Sequence, residues 1–488
     1  MTTAKEDSSP QAAPVPPANH PGVESWMTAD ACPYLASQPG DPKWRSVAPA
    51  NGGRVPRALL PVLFLDMLAV GLVIPLLSLY AKGVGGSKLF VGALGTAYGV
   101  AQLIGSSVLG GLSDSIGRVP VLQLSLIGAA AGYATLWYAV AVARSPAWLV
   151  MSRIPIGLFK QSQTISRAVV SDCTRADSRM AALGGLSATI GAGFVFGPMF
   201  GGILSKRAKF APPLIAAVLF LLGFVITTFG VPETAPRLLH AGEEEEESGK
   251  KQGDGQEETE EETSPPPRCA ALLSFWALVR DYPFARKVIA TKLLVDLPYM
   301  MMQTSFALYT QEVFALDAKK TGYVLALAGV VNVLAHSAIV PRLARGCCGT
   351  TAGAGREYPV MVFGALLSAL SLVALGAAPS ATLFVAAIAP LSLGSALYKT
   401  AVTAILTQSV PPHDAGRLSG AVDAMNSVCR VVAPAIGGLL MEYAFDAAPF
   451  VLGGACSAVG ALALALVVPR RGAAGGEGSS EASKLKPE

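Results

Sequence analysis

Charged side chains are scarce in this sequence. Only 14% of its 488 residues are Asp, Glu, Lys or Arg, whereas 52% are hydrophobic. An average soluble domain is roughly 25% charged, so the composition excludes an ordinary soluble enzyme. Aromatic residues are also few, at 7%, but glycine contributes 51 residues. Small residues of this kind favour close packing between membrane helices.

Histidine and cysteine are too few and too scattered to form a metal site or a disulfide framework. The chain has four histidines and seven cysteines, and the adjacent pair Cys347 and Cys348 has no histidine cluster beside it. We find no nucleophile with a base and no phosphate-binding loop. We therefore predict that the protein is not an enzyme and needs no cofactor. The Pro-rich start lacks the features of a cleavable signal peptide, so the first apolar run is expected to be an uncleaved anchor.

Negative charge is concentrated in one segment. Residues 243–262 hold eleven acidic residues against two lysines, so the remaining chain is basic. Like charges at this density repel each other, and we predict a disordered cytosolic linker over 233–285. The polar ends, 1–56 and 470–488, are predicted to be disordered cytosolic tails. Because the basic excess is not uniform, nucleic-acid binding is a poor interpretation.

Long apolar stretches predict twelve transmembrane helices. The first runs from residue 58 to 81 and is apolar apart from Asp66. At about 1.5 Å per residue it spans a hydrocarbon core of roughly 30 Å. Six such stretches lie within 57–232 and six within 286–469. The predicted fold is an all-α integral membrane protein with two six-helix bundles.

An internal repeat relates the two bundles. Five residues of the fifth stretch recur 236 positions later: Gly184, Pro198, Gly201, Gly202 and Leu204 match Gly420, Pro434, Gly437, Gly438 and Leu440. Homologous halves of this kind place a substrate site between them, near the middle of the membrane. A chance match between Gly-rich and Ala-rich helices is the alternative.

Basic residues at the helix ends indicate the orientation. They are more frequent at the set of ends that includes Arg57, Arg118 and Arg286, which predicts cytosolic termini. Lys206 and Lys209 argue locally against this orientation. The plasma membrane and an endomembrane such as the lysosomal one are both open.

The loop after the second stretch reads Gly-Gly-Leu-Ser-Asp-Ser-Ile-Gly-Arg-Val-Pro over residues 110–120. It resembles the loop motif of the major facilitator superfamily, whose twelve-helix fold matches the predicted one. The matching residues are Gly110, Asp114, Gly117 and Arg118. We expect Gly110 to permit close helix contact, and Asp114 to pair with Arg118 or to lie against a helix N-terminus. A gate requires such contacts to form in one state and break in another. An ordinary turn with a salt bridge is the alternative.

The fifth stretch carries Gly193, Gly197, Pro198, Gly201 and Gly202. Glycines four apart line one face of a helix, and a proline removes a backbone hydrogen bond and bends the helix. The spacing is similar to the antiporter motif of the drug/proton antiporters within the superfamily. A helix interface that requires small residues for packing alone is the alternative.

Ionisable residues within the first half are candidates for coupling. Asp66 lies in the first stretch, and Arg153 and Lys160 lie in the fourth. Counting rise per residue, Lys160 matches the depth of Asp66 better than Arg153 does. Arg153 and Gly157 resemble a fourth-helix motif that the family links to proton transfer. The first stretch resembles that of the tetracycline-efflux branch, where such an acid is coupled to substrate or protons; a purely structural ion pair is the alternative.

The second half contributes Asp296, Lys399 and Arg430 as further candidates. Charges of both signs suit a cavity that binds a zwitterion, an anion or a proton. Asp423 and His336, closer to the cytosolic boundary, are interpreted as interfacial charges.

Together these features predict a monomeric secondary transporter in the lipid bilayer. We expect it to move a small organic solute by alternating access, in exchange for protons. Two alternatives remain: an uncoupled uniporter, and a transport-inactive scaffold or receptor that acts through the acidic loop.

Overall fold

A computed structural model describes residues 55–174, 176–235, 280, 282–335, 357–408 and 415–467. The predicted tails up to residue 54 and from residue 468, most of the acidic linker, and His336 lie outside the described residues. All regular structure in the described part is helical, which confirms the predicted all-α fold.

The first half consists of six helical segments. They are α1 (Leu59–Val73) with a 3-10 turn (Ile74–Leu76) and α2 (Leu77–Gly83); α3 (Lys88–Ser115); α4 (Arg118–Tyr138); α5 (Pro146–Phe159) with α6 (Ser162–Cys173); α7 (Ala176–Arg207); and α8 (Ala211–Gly230). The first segment is interrupted at Pro75, which fits the proline's missing N–H. The fourth is interrupted without a proline at the break.

The second half also has six segments. They are α9 (Pro283–Val313), α10 (Ala318–Leu334), α11 (Glu357–Gly376), α12 (Ala381–Gln408), α13 (Ala415–Tyr443) and α14 (Ala448–Val467). Among the described residues of the whole chain, nine segments are long and apolar enough to cross a membrane. The other three are the split fourth segment, the charge-bearing α9 and the short α10. The twelve-segment fold is confirmed.

Each half buries its own apolar core, and large apolar side chains also cover the outside. The core of the first half is built on residues such as Leu63, Leu122 and Phe220. Phe229 and Leu466 are 87% exposed. An outer surface of this kind is suited to lipid rather than water.

The two halves meet through two matching helix pairs, α3 with α13 and α7 with α10. The prolines of the internal repeat lie at these contacts. A Cβ atom at Gly92 would lie 2.5 Å from the carbonyl oxygen of Pro434, and a Cβ at Gly322 would collide with the carbonyl of Pro198. The repeated residues therefore mark the two inter-half interfaces.

The structure places Glu233, which composition assigns to the linker, against the first bundle. The Glu233 carboxylate accepts hydrogen bonds from the backbone N–H groups of Arg118 (2.8 Å) and Val119 (3.0 Å), at the start of α4. It also accepts from the N–H groups of Thr234 and Ala235. Burial raises the pKa of Glu233, but these four bonds outweigh it and hold the pKa below its usual value. Composition changes at Glu233, yet this residue belongs to the first bundle.

The start of the second bundle also differs from the prediction. Helix α9 begins at Pro283, inside the predicted linker, rather than at residue 286. Proline suits the first turn of a helix because its missing N–H would have no intrahelical partner there.

Candidate functional site

The fourth segment is broken between Phe159 and Ser162. Lys160 has φ −77° and ψ 63°, outside the helical region, so the regular hydrogen-bond ladder stops there. The Ser125 hydroxyl of α4 donates to the carbonyl of Phe159 (2.5 Å) and accepts from the N–H of Gln161 (3.2 Å). A side chain thus satisfies backbone groups that the bilayer leaves without water.

The break brings Lys160 to Asp66 of α1. The Nζ atom of Lys160 lies 2.8 Å from Oδ2 of Asp66, and the Ser162 hydroxyl donates to the same oxygen at 2.6 Å. The Lys160 side chain is 4% exposed and the Asp66 side chain 0%. This pairing agrees with the depth count from the sequence. The other carboxylate oxygen, Oδ1, is buried and has no hydrogen-bond partner among the described residues.

The helix ends at the break complement both charges of the pair. Lys160 directly follows the last residue of α5, where the negative end of the helix dipole favours a cation. Ser162 is the first residue of α6, whose positive end favours the Asp66 carboxylate bonded to it. Broken helices in transporters present charges to bound ions in this way.

Arg153 lies in α5, nearly two turns before the break, and the structure does not bring it to Asp66. Its side chain is buried, at 6% exposure, and its Nη2 atom has no hydrogen-bond partner among the described residues. Tyr98 and Tyr133 are within electrostatic reach of it. Of the two cations in this segment, Lys160 makes the contact with the carboxylate.

Asp296 has a partner that the sequence interpretation missed. Lys292, one turn earlier on α9, forms a buried ion pair with it, and Lys292 Nζ lies 3.4 Å from Oδ1 of Asn426. The i, i+4 spacing of the two residues was a usable signal. The buried Tyr398 hydroxyl, within electrostatic reach of Asp296, has no hydrogen-bond partner in the described part. Both charges sit on one helix, so this pair does not join two helices.

Lys399 and Arg430 are exposed and stand apart from both ion pairs. The Lys399 Nζ atom of α12 lies 4.1 Å from the ring centroid of Tyr299 of α9. Arg430 of α13 donates from Nη1 to Oε1 of Gln102 of α3, at 3.3 Å, and so reaches across the interface between the halves. Neither cation has a carboxylate partner among the described residues.

Three glycines of α7 face α1, the helix that carries Asp66. A Cβ atom at Gly193 would lie 2.6 Å from the Cβ of Met67, and one at Gly197 would lie 2.5 Å from the Cα of Gly71. A Cβ at Gly201 would likewise collide with the backbone of α1. The close packing expected of this motif is confirmed.

The same motif also contacts the second half. A Cβ atom at Gly202 would lie 2.6 Å from the carbonyl oxygen of Ala318, at the start of α10. The carbonyl of Pro198 abuts Gly322 one turn further along that helix. Helix α7 continues through Pro198 to Arg207. It is therefore held between α1 on one face and α10 on another.

The loop motif forms its predicted ion pair, but within the first half. Arg118 Nη1 lies 2.5 Å from Oδ1 of Asp114, and Nε lies 2.9 Å from Oδ2 of Asp172 at the end of α6. Gly117 has φ 108°, a backbone region that favours glycine. The close contact expected at Gly110 is wrong for this conformation, because a Cβ there would meet nothing within 4 Å.

Ion pairs between the halves cluster at one end of the bundle, which we call the closed end. They are Lys82 with Glu312 (2.7 Å), Lys206 with Asp317 (2.8 Å), and Lys88 with Asp446. In each pair the base belongs to the first half and the acid to the second.

A cavity of roughly 300 Å³ lies at the closed end, lined by Lys82, Lys88, Glu312 and Glu442 among others. Asp317 begins α10 by accepting a hydrogen bond from the N–H of Lys320. The Lys206 ammonium and this N–H hold the pKa of Asp317 below its usual value.

The opposite end, which we call the open end, lacks such contacts in the described part of the chain. No ion pair between the halves occurs there among the described residues. A Cβ atom at Gly110, Gly184 or Gly185 would meet nothing within 4 Å. Among the described residues, the ion pairs between the halves are therefore confined to the closed end. The described residues also contain no cluster of His, Cys, Asp and Glu that could hold a metal ion.

The chain is similar to known proteins over most of its length. A family model described as "Major Facilitator Superfamily" matches residues 59–355 and 348–487. Solute carrier family 22 member 18 of Mus musculus is 27% identical over 381 residues, which cover 77% of this chain and 86% of that protein. The class C tetracycline resistance protein of Escherichia coli is 25% identical over 421 residues, 85% of this chain and 96% of that one.

A solved structure has the same fold. The crystal structure of the human organic anion transporter MFSD10 aligns with a TM-score of 0.60 at 20% identity. The alignment covers 87% of this chain and all of that one.

Proposed function

The chain belongs to the Major Facilitator Superfamily, and on that premise we propose that it is a proton-coupled antiporter of a small organic solute, working by alternating access. It is a multi-pass membrane transporter, and its relatives are transporters rather than enzymes. The tetracycline resistance proteins and the organic anion transporter among the similar proteins support a small organic cargo. Proton coupling rests on the residues of this chain.

The observation that carries the proposal is that only one oxygen of the Asp66 carboxylate has hydrogen-bond partners among the described residues. Lys160 and Ser162 both bond to Oδ2, while the buried Oδ1 has no partner among the described residues. A buried acceptor without a partner is costly, and an added proton turns that oxygen into a donor. We assign Oδ1 of Asp66 as the atom that takes up the transported proton.

Protonation would loosen the contact between two helices. A neutral Asp66 attracts Lys160 less strongly, and this pair joins α1 to the break between α5 and α6. Helix α1 packs on the glycine face of α7, and α7 touches α10 of the other half through Gly202. A shift of α1 relative to the break would therefore be transmitted through the packed helices α7 and α10 to the interface between the halves.

The two ends of the bundle fit a carrier that faces the cytosol. With both termini cytosolic, as the basic residues predict, the closed end faces the outside or an organelle lumen. The loop motif with Asp114 and Arg118 then lies at the open end. We propose that Gly110 gains its close contact when this end shuts, because its present surroundings leave room for a helix.

The position of the chain within the superfamily is also part of the proposal. Its first and fourth segments, with Phe64-Leu65-Asp66 and Leu158-Phe159-Lys160, resemble those of vertebrate major facilitator superfamily domain-containing protein 9. We propose that the chain acts as a monomer in the plasma membrane or an endomembrane.

The proposal is tested in proteoliposomes that contain the full-length protein, with the membrane potential clamped by valinomycin and equal potassium. A labelled extract of cellular metabolites is added outside, and solutes that enter are identified by mass spectrometry. One-for-one exchange accumulates a solute up to about tenfold per pH unit, acid inside, since one pH unit corresponds to about 1.4 kcal/mol. We expect such accumulation for the wild type and a ratio near one for Asp66→Asn.

Removing Asp66 alone leaves Lys160 buried without its partner, which costs about 3–5 kcal/mol and threatens folding. The double variant D66N/K160Q removes both charges and guards against this loss. Asp296→Asn is the matched comparison, since its carboxylate is equally buried. Gradient-driven accumulation that persists in folded D66N/K160Q would refute the assignment. Entry that ignores the gradient indicates a uniporter, and no entry of any solute favours the scaffold.

A further inference from the structure

The membrane-embedded part of the described structure holds more positive than negative charge. Asp66 and Asp296 are each engaged by a lysine, Lys160 and Lys292 respectively. The cations left without a carboxylate partner among the described residues include Arg153, Lys399 and Arg430, and also Arg167 of α6. Because a charge in the membrane is costly without a partner, this imbalance requires an explanation.

Arg430 is the cation best placed for a ligand. It is exposed and lies about 22 Å along α13 from the helix's first residue, far from either end. At such depth a charged side chain faces a water-filled space rather than lipid. Its described hydrogen bond is the single one to Gln102. A guanidinium has five N–H donors in a planar fork, so most of them remain available for an anion.

The surroundings of Arg430 do not neutralise it. The nearest exposed acid on its own helix is Asp423, seven residues earlier and so about 10 Å away along the axis. That separation exceeds the 4 Å of an ion pair. From α3, Gln102 and the nearby Tyr98 face Arg430, and both are uncharged. The positive field of Arg430 is therefore open to a bound anion.

Lys399 adds a second positive charge in the same half. Its ammonium rests over the ring of Tyr299, at 4.1 Å from the centroid, so it is directed from α12 towards α9. A cation–π contact holds the ammonium in place without cancelling its charge. Two cations of the second half thus have no carboxylate partner among the described residues.

We propose that the transported solute is an organic anion whose acidic group binds the guanidinium of Arg430, with Lys399 as the second positive charge. This inference rests on the proposed transport function and names its substrate class. The carboxylate of Asp66 remains the proton site, in the other half. Proton uptake and solute recognition are thereby assigned to different halves of the molecule.

The test measures binding rather than transport, so it does not depend on proton coupling. The full-length protein in lipid nanodiscs is heated in the presence of ligands built on benzyl, naphthylmethyl and biphenylmethyl groups. Each group carries a carboxylate, an ammonium or a hydroxyl, and ionic strength is constant. A ligand that binds the folded state raises the melting temperature, and at a fixed concentration the rise grows with the logarithm of its affinity. We expect at least one carboxylate to stabilise the wild type more than its ammonium and hydroxyl counterparts.

Arg430→Gln should weaken binding of that carboxylate about tenfold or more, because charge-assisted hydrogen bonds are lost. Arg430→Lys keeps the charge and should retain part of the affinity for the carboxylate. It takes the place of Arg430→Gln in the binding test if that variant does not fold. Lys320→Gln removes an exposed lysine at the closed end and should leave affinity unchanged.

Two results would overturn the inference: no carboxylate preference in the wild type, or equal affinities in Arg430→Gln and the wild type. The D66N/K160Q variant separates this inference from the proposed function. It should lose gradient-driven transport and keep carboxylate binding. If it keeps both while Arg430→Gln loses binding, proton coupling at Asp66 fails and the anion site stands.

Discussion

The packing of α1 against α7 gives a prediction that can be worked out from distances. A methyl group at Gly197 would lie 2.5 Å from the Cα of Gly71 and 2.9 Å from the carbonyl oxygen of Leu68. All of these neighbours are backbone atoms, so no side chain can rotate away. Restoring an ordinary contact of at least 3.4 Å requires the helices to move apart by about 1 Å. Overpacking of this kind costs about 1–3 kcal/mol.

The same helix provides a matched control in Gly184, where a Cβ would meet nothing within 4 Å. Gly184→Ala should be neutral or stabilise the protein by up to about 1 kcal/mol, because alanine favours the helix. Both variants gain this propensity, so the difference between them isolates the clash. We expect Gly197→Ala to be less stable than Gly184→Ala by about 1–3 kcal/mol.

The measurement is thermal unfolding in detergent, followed by transport in proteoliposomes. Gly71 lies on the same helix as Asp66, so displacement of α1 should also slow gradient-driven exchange in Gly197→Ala. Gly184→Ala should transport at the wild-type rate. Equal stability of the two variants would show that α1 and α7 are not in the close contact described, and the link from Asp66 to the interface would fail with it.

Two further predictions concern side chains that bond to backbone groups at helix ends: Glu233 at the start of α4 and Ser125 at the break between α5 and α6. The pKa of Glu233 is lowered in the folded state, so the stability that its carboxylate adds is present above pH about 4.5 and is lost as pH falls below that value. Glu233→Gln should therefore have a lower melting temperature than the wild type at pH 7, and the difference should be smaller at pH 3.5. The same difference in melting temperature at both pH values would contradict this. Ser125→Ala should cost about 0.5–1.5 kcal/mol, because the carbonyl of Phe159 and the N–H of Gln161 each lose one hydrogen bond and keep only the one they make with each other. Ser107→Ala, at an exposed hydroxyl bonded within its own helix, should stay within about 0.5 kcal/mol of the wild type.

The twelve segments could be predicted because each needs a run of apolar residues long enough to cross a bilayer. The pairing of Asp66 with Lys160 could be predicted as well, since depth follows from counting residues along a helix. The break beside Lys160 could not, because Pro155 and Gly157 precede it without fixing its position and the residues from Leu158 to Gln163 contain neither proline nor glycine. It depends on Ser125 of another helix, and a serine in a membrane helix usually bonds to its own backbone.

Other parts of the site depend on contacts between distant segments. The ion pairs of the closed end join residues more than one hundred positions apart, such as Lys206 and Asp317. No local pattern encodes such a pair. Glu233 illustrates the reverse error: local composition placed it in the linker, while its carboxylate bonds to the start of a helix far back in the chain. Lys292, in contrast, was recoverable from its spacing to Asp296.

In each of the three ion pairs described at the closed end the base lies on the first half and the acid on the second, and this polarity has a consequence for assembly. The repeat makes the two halves similar enough that copies of one half could pair with each other. Two first halves would set lysine against lysine, and two second halves would set carboxylate against carboxylate. Only the pairing of a first half with a second half brings Lys206 to Asp317, Lys82 to Glu312 and Lys88 to Asp446. The charges of the closed end thus select against the assembly of two like halves.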